Sequence, residues 1–311
     1  MSTSIIPVIN IQNLHDARTL RALDSACRNV GTFQIVGHGL PALAQVNLIA
    51  AMHAFFNLGR EQKQAVVRNE RNHWGYYDRE LTKNRIDLKE VYDYGRSFLA
   101  QDGNNALTPQ WPHELPIFPA AVAEYFSVCE QLSFQLLSAI AHNLGVAAAS
   151  LRQYFENHNS SFLRLNHYPV HASRDESALG IHPHTDAGAL TVLLQDKQSG
   201  LEVFAQDNWH LVEPIDGALV INLGDIVQVW SNDRYQATLH RVRASCRRQR
   251  YSAAFFLNPS FDTVYQPLPS ILDTNNVAKY HAIHWRAFRE ARAMGDYRDA
   301  GHEIQISDFR I

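Results

Sequence analysis

The chain has little cysteine and no grouping of it: Cys27, Cys129 and Cys246 lie far apart, with no Cys-x-x-Cys pair. That spacing disfavours a zinc knuckle or a disulfide framework and fits a reducing compartment. The start MSTSIIPVINIQ lacks a basic region followed by an apolar one, and no stretch approaches the apolar run of about 20 residues that a membrane span needs. A cytoplasmic protein without a membrane segment is expected. A basic excess is missing too, since 28 Lys and Arg stand against 31 Asp and Glu for a net charge of −3. This argues against a generic nucleic-acid binder, because neutralising a phosphate backbone needs a basic face. There is no internal repeat, low-complexity stretch or long linker. What remains is the composition of a globular protein, 46% hydrophobic and 10% aromatic over 311 residues, enough to bury a sizeable core. The 16 His stand apart, because imidazole titrates near neutral pH and is the commonest side-chain metal ligand.

Two periods divide the chain. Residues 5–11 read as a short strand, Leu14 to Val30 as a helix through Leu20, Leu23, Ala26 and Cys27, and GTFQIVGHGL from Gly31 as a buried strand leading to a helix near Pro41. Residues 69–116 mix aromatics with Gly, Asn and Pro, which predicts irregular structure with a few strands. Pro119 opens the clearest helix, apolar at Val122, Tyr125, Phe126, Cys129, Leu132, Leu136, Ile140 and Leu144, with Gly145 as its stop. From Phe162 the pattern alternates. FLRLNHY, ALTVLLQD, GLEVF, ALVINLGDIVQVW, LHRVRAS and YSAAFFL read as short strands of an antiparallel sandwich or barrel. The tail at 277–296 reads as helix again.

The sharpest chemical feature is His184-Thr-Asp186, followed far downstream by His240. Residues i and i+2 of an extended chain point to one side, so His184 and Asp186 can present an imidazole and a carboxylate to one point. A third ligand from another strand completes two His and one carboxylate on one face of an ion and leaves the opposite face open. A non-haem Fe(II) centre needs that opening for a co-substrate and O2, although Zn, Mn or Ni can take the same ligands. Arg250 and Ser252 form a second i, i+2 pair, a planar fork of donors with a hydroxyl beside it, suited to gripping a carboxylate. Alternation also puts Arg164, Asn166 and Tyr168 on one side, against Leu163, Leu165 and His167 on the other.

In order and spacing, HTDAGALTVLLQD, INLGDIVQVWSNDRYQATLHRV and RYSAAFFLNP resemble the core of the Fe(II)/2-oxoglutarate-dependent dioxygenases, in the branch that includes isopenicillin N synthase. GTFQIVGHGL and DLKEVYDYGR are similar to that branch's N-terminal half. The resemblance implies a mainly β fold with flanking helices around a double-stranded β-helix (jelly-roll) core at 159–262, an N-terminal helical and mixed region at 1–158, and a C-terminal helical extension at 263–311. It implies Fe(II) held by His184, Asp186 and His240, 2-oxoglutarate held by Arg250 and Ser252 with Asn166 and Tyr168, and O2 as oxidant. The reaction it implies converts 2-oxoglutarate to succinate and CO2 while a small-molecule substrate is hydroxylated, desaturated or cyclised. Candidate substrate contacts are Arg164, Tyr76, Arg96 and Phe256, with Tyr77 beside them.

Plain structural roles compete with these. Arg164 reads equally well as a structural cation paired to an acidic neighbour, and Tyr76, Tyr77 and Arg96 as core or surface residues. His38 reads as a structural hydrogen-bonding residue, His281 and His284 as surface or packing residues of the helical tail, and Asp225 as the end of a turn. Two other functions stay open: an isopenicillin N synthase-like oxidase that does not use 2-oxoglutarate, and a catalytically silent binding protein on the same scaffold. Neither the primary substrate nor the oligomeric state follows from the residues.

Overall fold

The structure, a computed structural model, describes residues 5–69, 71–99, 106–156, 158–171, 178–299 and 301–311. Residues 70 and 100–105 of the expected irregular stretch fall outside them. Twelve strands form two sheets: β1 (Val8–Asn10), β2 (Thr32–Val36), β3 (Gly75–Tyr77), β4 (Glu90–Gly95), β5 (Phe162–Tyr168), β6 (Leu179–His184), β7 (Leu190–Gln195), β8 (Leu201–Ala205), β9 (Asn208–Leu211), β10 (Leu219–Leu223), β11 (His240–Arg243) and β12 (Arg250–Leu257). The larger sheet has the order β1-β2-β10-β7-β12-β5-β4-β3 and the smaller the order β6-β11-β8-β9. Apart from the parallel β1–β2 pair, every pairing in them is antiparallel. Their inner faces meet through Tyr168, Leu193, Val220 and Ala254 of one sheet and Leu201, Val203 and Val242 of the other. This is the jelly-roll core, with helices on the outer face of the large sheet.

Strand alternation separates the two jobs of the large sheet. On β12, Tyr251, Ala253, Phe255 and Leu257 join the helix-side core, as do Leu163 and Leu165 of β5; their even-numbered neighbours face the cavity between the sheets. Leu163, Leu165 and Phe255 are fully buried, worth about 1.5–3 kcal/mol each. The helices that cover them are α1 (Ala17–Asn29), α2 (Ala42–Phe56) and α4 (Phe118–Leu144), with the short α3 (Arg60–Gln64) and α5 (Ala148–Arg152) between. Asp16 caps α1 by accepting from the Arg18 and Thr19 N–H groups. The expected limits of α4 hold: Pro119 lies in its first turn and Gly145, at φ 76°, ends it in the left-handed conformation.

Two expectations are corrected. The apolar run LGDIVQVW does not continue β10; it turns at Gly224 into the helix α6 (Asp225–Trp230), buried at Ile226, Val227, Val229 and Trp230. A short run that is apolar all round cannot be told from a strand by period, and here the backbone is drawn out of the sheet: the N–H groups of Asp225 and Ile226 donate to the Asp186 and Gly188 carbonyls. The tail is not helical from 277. Ile283–His284 pairs with Val264–Tyr265, and the His281 and Ile311 N–H groups bond the Phe309 and Lys279 carbonyls, so only Trp285–Gly295 forms a helix, α7. Exposed His281 and His284 therefore sit on extended chain.

The roof of the cavity joins a hairpin of the N-terminal region to the C-terminal segment. A tight hairpin pairs Leu81–Thr82 with Arg85–Ile86 across Lys83 and Asn84, both at positive φ. Its Leu81 N–H donates to the Asp296 carbonyl (3.1 Å), its Lys83 N–H to Glu303 Oε2 (2.8 Å), and Asn84 Nδ2 to the Gly301 carbonyl (2.6 Å). No helix among the described residues is long and apolar enough to cross a membrane.

Candidate active site

The triad assembles from β6, the turn after it and β11. His184 and His240 are cross-strand partners in the β6–β11 ladder, which brings their rings to 4.3 Å between centroids. Asp186 Oδ1 lies 3.8 Å from His184 Nε2 and 3.6 Å from His240 Nε2. Among the described residues these three are the set able to hold a metal ion, one donor atom each, all within 4.8 Å of one another.

Surrounding bonds aim each donor. Nδ1 of His184 bonds the His182 carbonyl (2.8 Å), and Nδ1 of His240 that of Thr238 (2.9 Å). A carbonyl only accepts, so Nδ1 carries the proton and Nε2 keeps its lone pair toward the shared point. Burial, with His240 adjacent, pushes the His184 imidazole well below its ordinary pKa, which favours that neutral form. Thr191 donates to Asp186 Oδ2 (2.5 Å) and leaves Oδ1 turned to the histidines.

Beside the triad, Arg250 is 2% exposed. Its Nη1 donates to Ser252 Oγ (3.3 Å), Nη2 to Gln195 Oε1 (3.2 Å) and Nε to the Gln198 carbonyl (3.2 Å), and the guanidinium lies 5.1 Å from the Tyr168 ring centre. No carboxylate among the described residues forms an ion pair with it. A buried cation without an anion is costly, so this end of the cavity is built for one. Asn166, opposite Ser252 in the β5–β12 ladder, keeps a buried Oδ1 without a partner among the described residues.

The remaining candidates divide. Arg164 lines the cavity but is engaged, through Nε and Nη2 to Asp93 (2.8 and 2.9 Å) and Nη1 to Glu80 (2.9 Å). Arg68 bonds the same two acids, and Lys89 bonds Glu80 and Asp87. Burial alone would raise the Glu80 carboxyl; Arg164, Lys89 and Arg68 hold it well below its usual value. Phe256 stacks on Phe162 at 4.7 Å in the cavity wall. Tyr76 and Arg96 are not brought to the cavity. Tyr76 is buried with its hydroxyl donating to Glu90 (2.6 Å), and Arg96 forms a two-point pair with Glu130. Tyr77 packs against Tyr297. His38 bonds the Gly217 carbonyl and the Leu40 N–H, a structural role. Asp225 opens α6 in the core instead of ending a turn, and burial pushes its carboxyl up to about 6.

Sequence reasoning passed over Thr191, Gln195, Trp285, Arg289 and Arg292. Thr191 and Gln195 share the parity of alternate cavity-facing positions, and Arg286, Arg289 and Arg292 recur every three residues along one side of a helix. Those were the available signals.

A two-histidine, one-carboxylate face beside an anion-seeking arginine, inside a jelly roll, is the arrangement of a non-haem iron oxygenase. The 2OG-Fe(II) oxygenase superfamily pattern matches residues 159–259, and that of the non-haem dioxygenase in morphine synthesis N-terminal region matches 6–114. Gibberellin 20 oxidase 1 of Arabidopsis thaliana is 32% identical over 302 residues, covering 92% of this chain and 78% of the relative. The crystal structure of JOX2 in complex with 2OG, Fe and JA superposes with a TM-score of 0.86 at 29% identity, over 98% of this chain and 89% of that one. A full-length Neurospora crassa protein crystallised in complex with alpha-KG and thymine shares the fold with a TM-score of 0.83 at 24% identity, over 94% of this chain and 97% of that one. The chain belongs to the 2OG-Fe(II) oxygenase superfamily. It is an Fe(II)- and 2-oxoglutarate-dependent dioxygenase that uses O2 and couples 2-oxoglutarate decarboxylation to oxidation of a small molecule.

Proposed function

We propose that His184, Asp186 and His240 hold the iron, that Arg250 and Ser252 bind the distal carboxylate of 2-oxoglutarate with Asn166 and Tyr168 alongside, and that the roofed end of the cavity receives the substrate for hydroxylation, desaturation or ring closure. The observation carrying this reading is the buried Arg250, which has no ion-pair partner among the described residues, in the same cavity as the triad. Iron with 2-oxoglutarate and O2 supplies the oxidising chemistry when bound. The protein's own part is positioning and exclusion. The carbonyl-anchored imidazoles and the Thr191-anchored carboxylate present three donors without reorganising. Arg250 neutralises the single negative charge left by Fe(II), Asp186 and the co-substrate dianion, which a low-dielectric cavity penalises if unbalanced. Leu193, Leu201 and Val242 line the same cavity and keep bulk water from it.

Substrate contacts are proposed for Phe256 and for Arg164, whose guanidinium is held by Asp93 and Glu80 on the cavity floor. The division into an N-terminal region at 1–158, a β-helix core at 159–262 and a C-terminal extension at 263–311 is retained as a reading of roles; strands from the first part complete the large sheet. A cytoplasmic site of action rests on the three free cysteines. Anaerobic addition of Fe(II) and then 2-oxoglutarate should produce a metal-to-ligand charge-transfer band, and aerobic turnover should release succinate. A protein showing neither would overturn the reading; iron binding with no succinate under any substrate would favour an oxidase that does without 2-oxoglutarate.

A further inference from the structure

The cavity contains a second arginine that has no carboxylate within 4 Å among the described residues. Along its floor the cross-strand pairs run Arg250/Tyr168, Ser252/Asn166, Ala254/Arg164 and Phe256/Phe162, so the two ends are six residues of strand apart, on the order of 20 Å. Arg250 stands at one end. At the other, Arg289 of α7 lines the cavity with its guanidinium 5.4 Å from the centre of the Phe162 ring. One small dianion cannot reach both, so the two arginines serve different ligands.

Other cations at this end have partners. Arg68 and Arg164 share Glu80 and Asp93, Lys89 bonds Glu80 and Asp87, and Arg292 pairs with Glu303 while donating to the Thr185 carbonyl. Arg289 makes no hydrogen bond and no ion pair within 4 Å among the described residues; it contacts the Phe162 ring, and at longer range it feels Asp296, Asp93, Arg164, Arg68 and His73. Around it the cavity wall sets the apolar Leu81, Phe162, Phe256 and Trp285 beside the charged Glu80, Arg164 and Asp296. A fork of donors beside an aromatic shelf fits a carboxylate attached to a hydrocarbon or aromatic skeleton.

We propose that Arg289 binds the carboxylate of the primary substrate, whose carbon skeleton lies on Phe162, Phe256 and Trp285, so that the enzyme oxidises a small organic acid. This rests on the cavity being the active site described above. Arg289 acts in specificity and takes no part in bond making.

The test uses the enzyme loaded anaerobically with Fe(II) and 2-oxoglutarate, titrated calorimetrically with phenylacetate, 3-phenylpropionate, octanoate and L-phenylalanine, each beside its primary amide. At least one acid should bind about 10-fold or more tightly than its amide, the size of one charge-assisted contact. Arg289→Gln should bring that ratio to about 1, and Arg289→Lys should keep part of it. In both variants the 2-oxoglutarate affinity, read from the charge-transfer band, should stay within about threefold of wild type, as expected for a residue remote from the co-substrate. Acids and amides binding alike, no acid binding at all, or an unchanged ratio in Arg289→Gln would each overturn the inference. Failure of the wild type to bind 2-oxoglutarate would instead overturn the reading of the site itself. Tighter binding of L-phenylalanine than of 3-phenylpropionate, lost in Asp296→Asn, would support the inference with an α-amino acid as the ligand; equal binding would support it with a simple carboxylic acid.

Discussion

Arg250 illustrates how much one side chain can carry. Replacing it with leucine removes the cation and leaves the apolar volume, so 2-oxoglutarate affinity should fall about 10- to 100-fold, the range of charge-assisted hydrogen bonds, while Fe(II) affinity changes little. Titrating both ligands into Arg250→Leu checks this, and an unchanged 2-oxoglutarate affinity would remove the residue from its assigned role. Thr191 is a quieter case. Its hydroxyl holds Asp186 Oδ2, so Thr191→Val should lower Fe(II) affinity about 10- to 100-fold without loss of folding, measured by competition with a chelator. The parity of Arg250 with Ser252 and of Arg164 with Asn166 and Tyr168 was legible because strand alternation is strict. The destinations of Tyr76 and Arg96 were not, because their surroundings in the fold leave no periodic trace and Glu90 and Glu130 claim them.

Elements differ in what they disclose. The helix Phe118–Leu144 could be read nearly to its ends from Pro119, an apolar stripe and Gly145, all local signals. The helix Asp225–Trp230 could not, since its hydrogen bonds to Asp186 and Gly188 come from a turn far away in sequence. That turn carries Asp186, the carboxylate proposed to bind the metal, so the junction has a consequence that can be measured. A Cβ at Gly224 would run into the Gly188 carbonyl oxygen and lie 3.0 Å from that of Asp186, backbone atoms that cannot rotate away. Gly224→Ala should therefore destabilise the protein by about 1–3 kcal/mol, as overpacking does, and weaken Fe(II) binding by moving Asp186. Urea unfolding and metal titration of the same variant would separate the two effects; a variant as stable as wild type would mean the turn yields easily.

For the whole molecule the expectation concerns acid and ligands. Burial lowers the His73 imidazole to about 4, with Arg289 and Arg68 adding to the shift. The unfolded chain binds a proton there from about pH 6.5 downward and the folded protein does not, so stability falls as pH drops from about 6.5 to about 4, by a total on the order of 3 kcal/mol. His73→Gln should show a shallower loss of urea midpoint between pH 7 and pH 5 than wild type; parallel losses would assign acid sensitivity elsewhere. Ligands act in the opposite direction. Fe(II) at about 100 times its dissociation constant should stabilise by roughly 2.7 kcal/mol, seen as a rise of a few degrees in melting temperature that His184→Ala abolishes.

The latch between the 81–86 hairpin and residues 296–303 has an evolutionary consequence. The floor and the triad come from one continuous middle stretch of the chain, whereas the roof over the substrate end is joined from two pieces more than two hundred positions apart. A descendant acquiring a new substrate can leave the middle untouched, but it must alter both pieces in concert to keep them fastened. Chimeras that import only one half of the roof from a relative should lose substrate selectivity sooner than the capacity to bind iron.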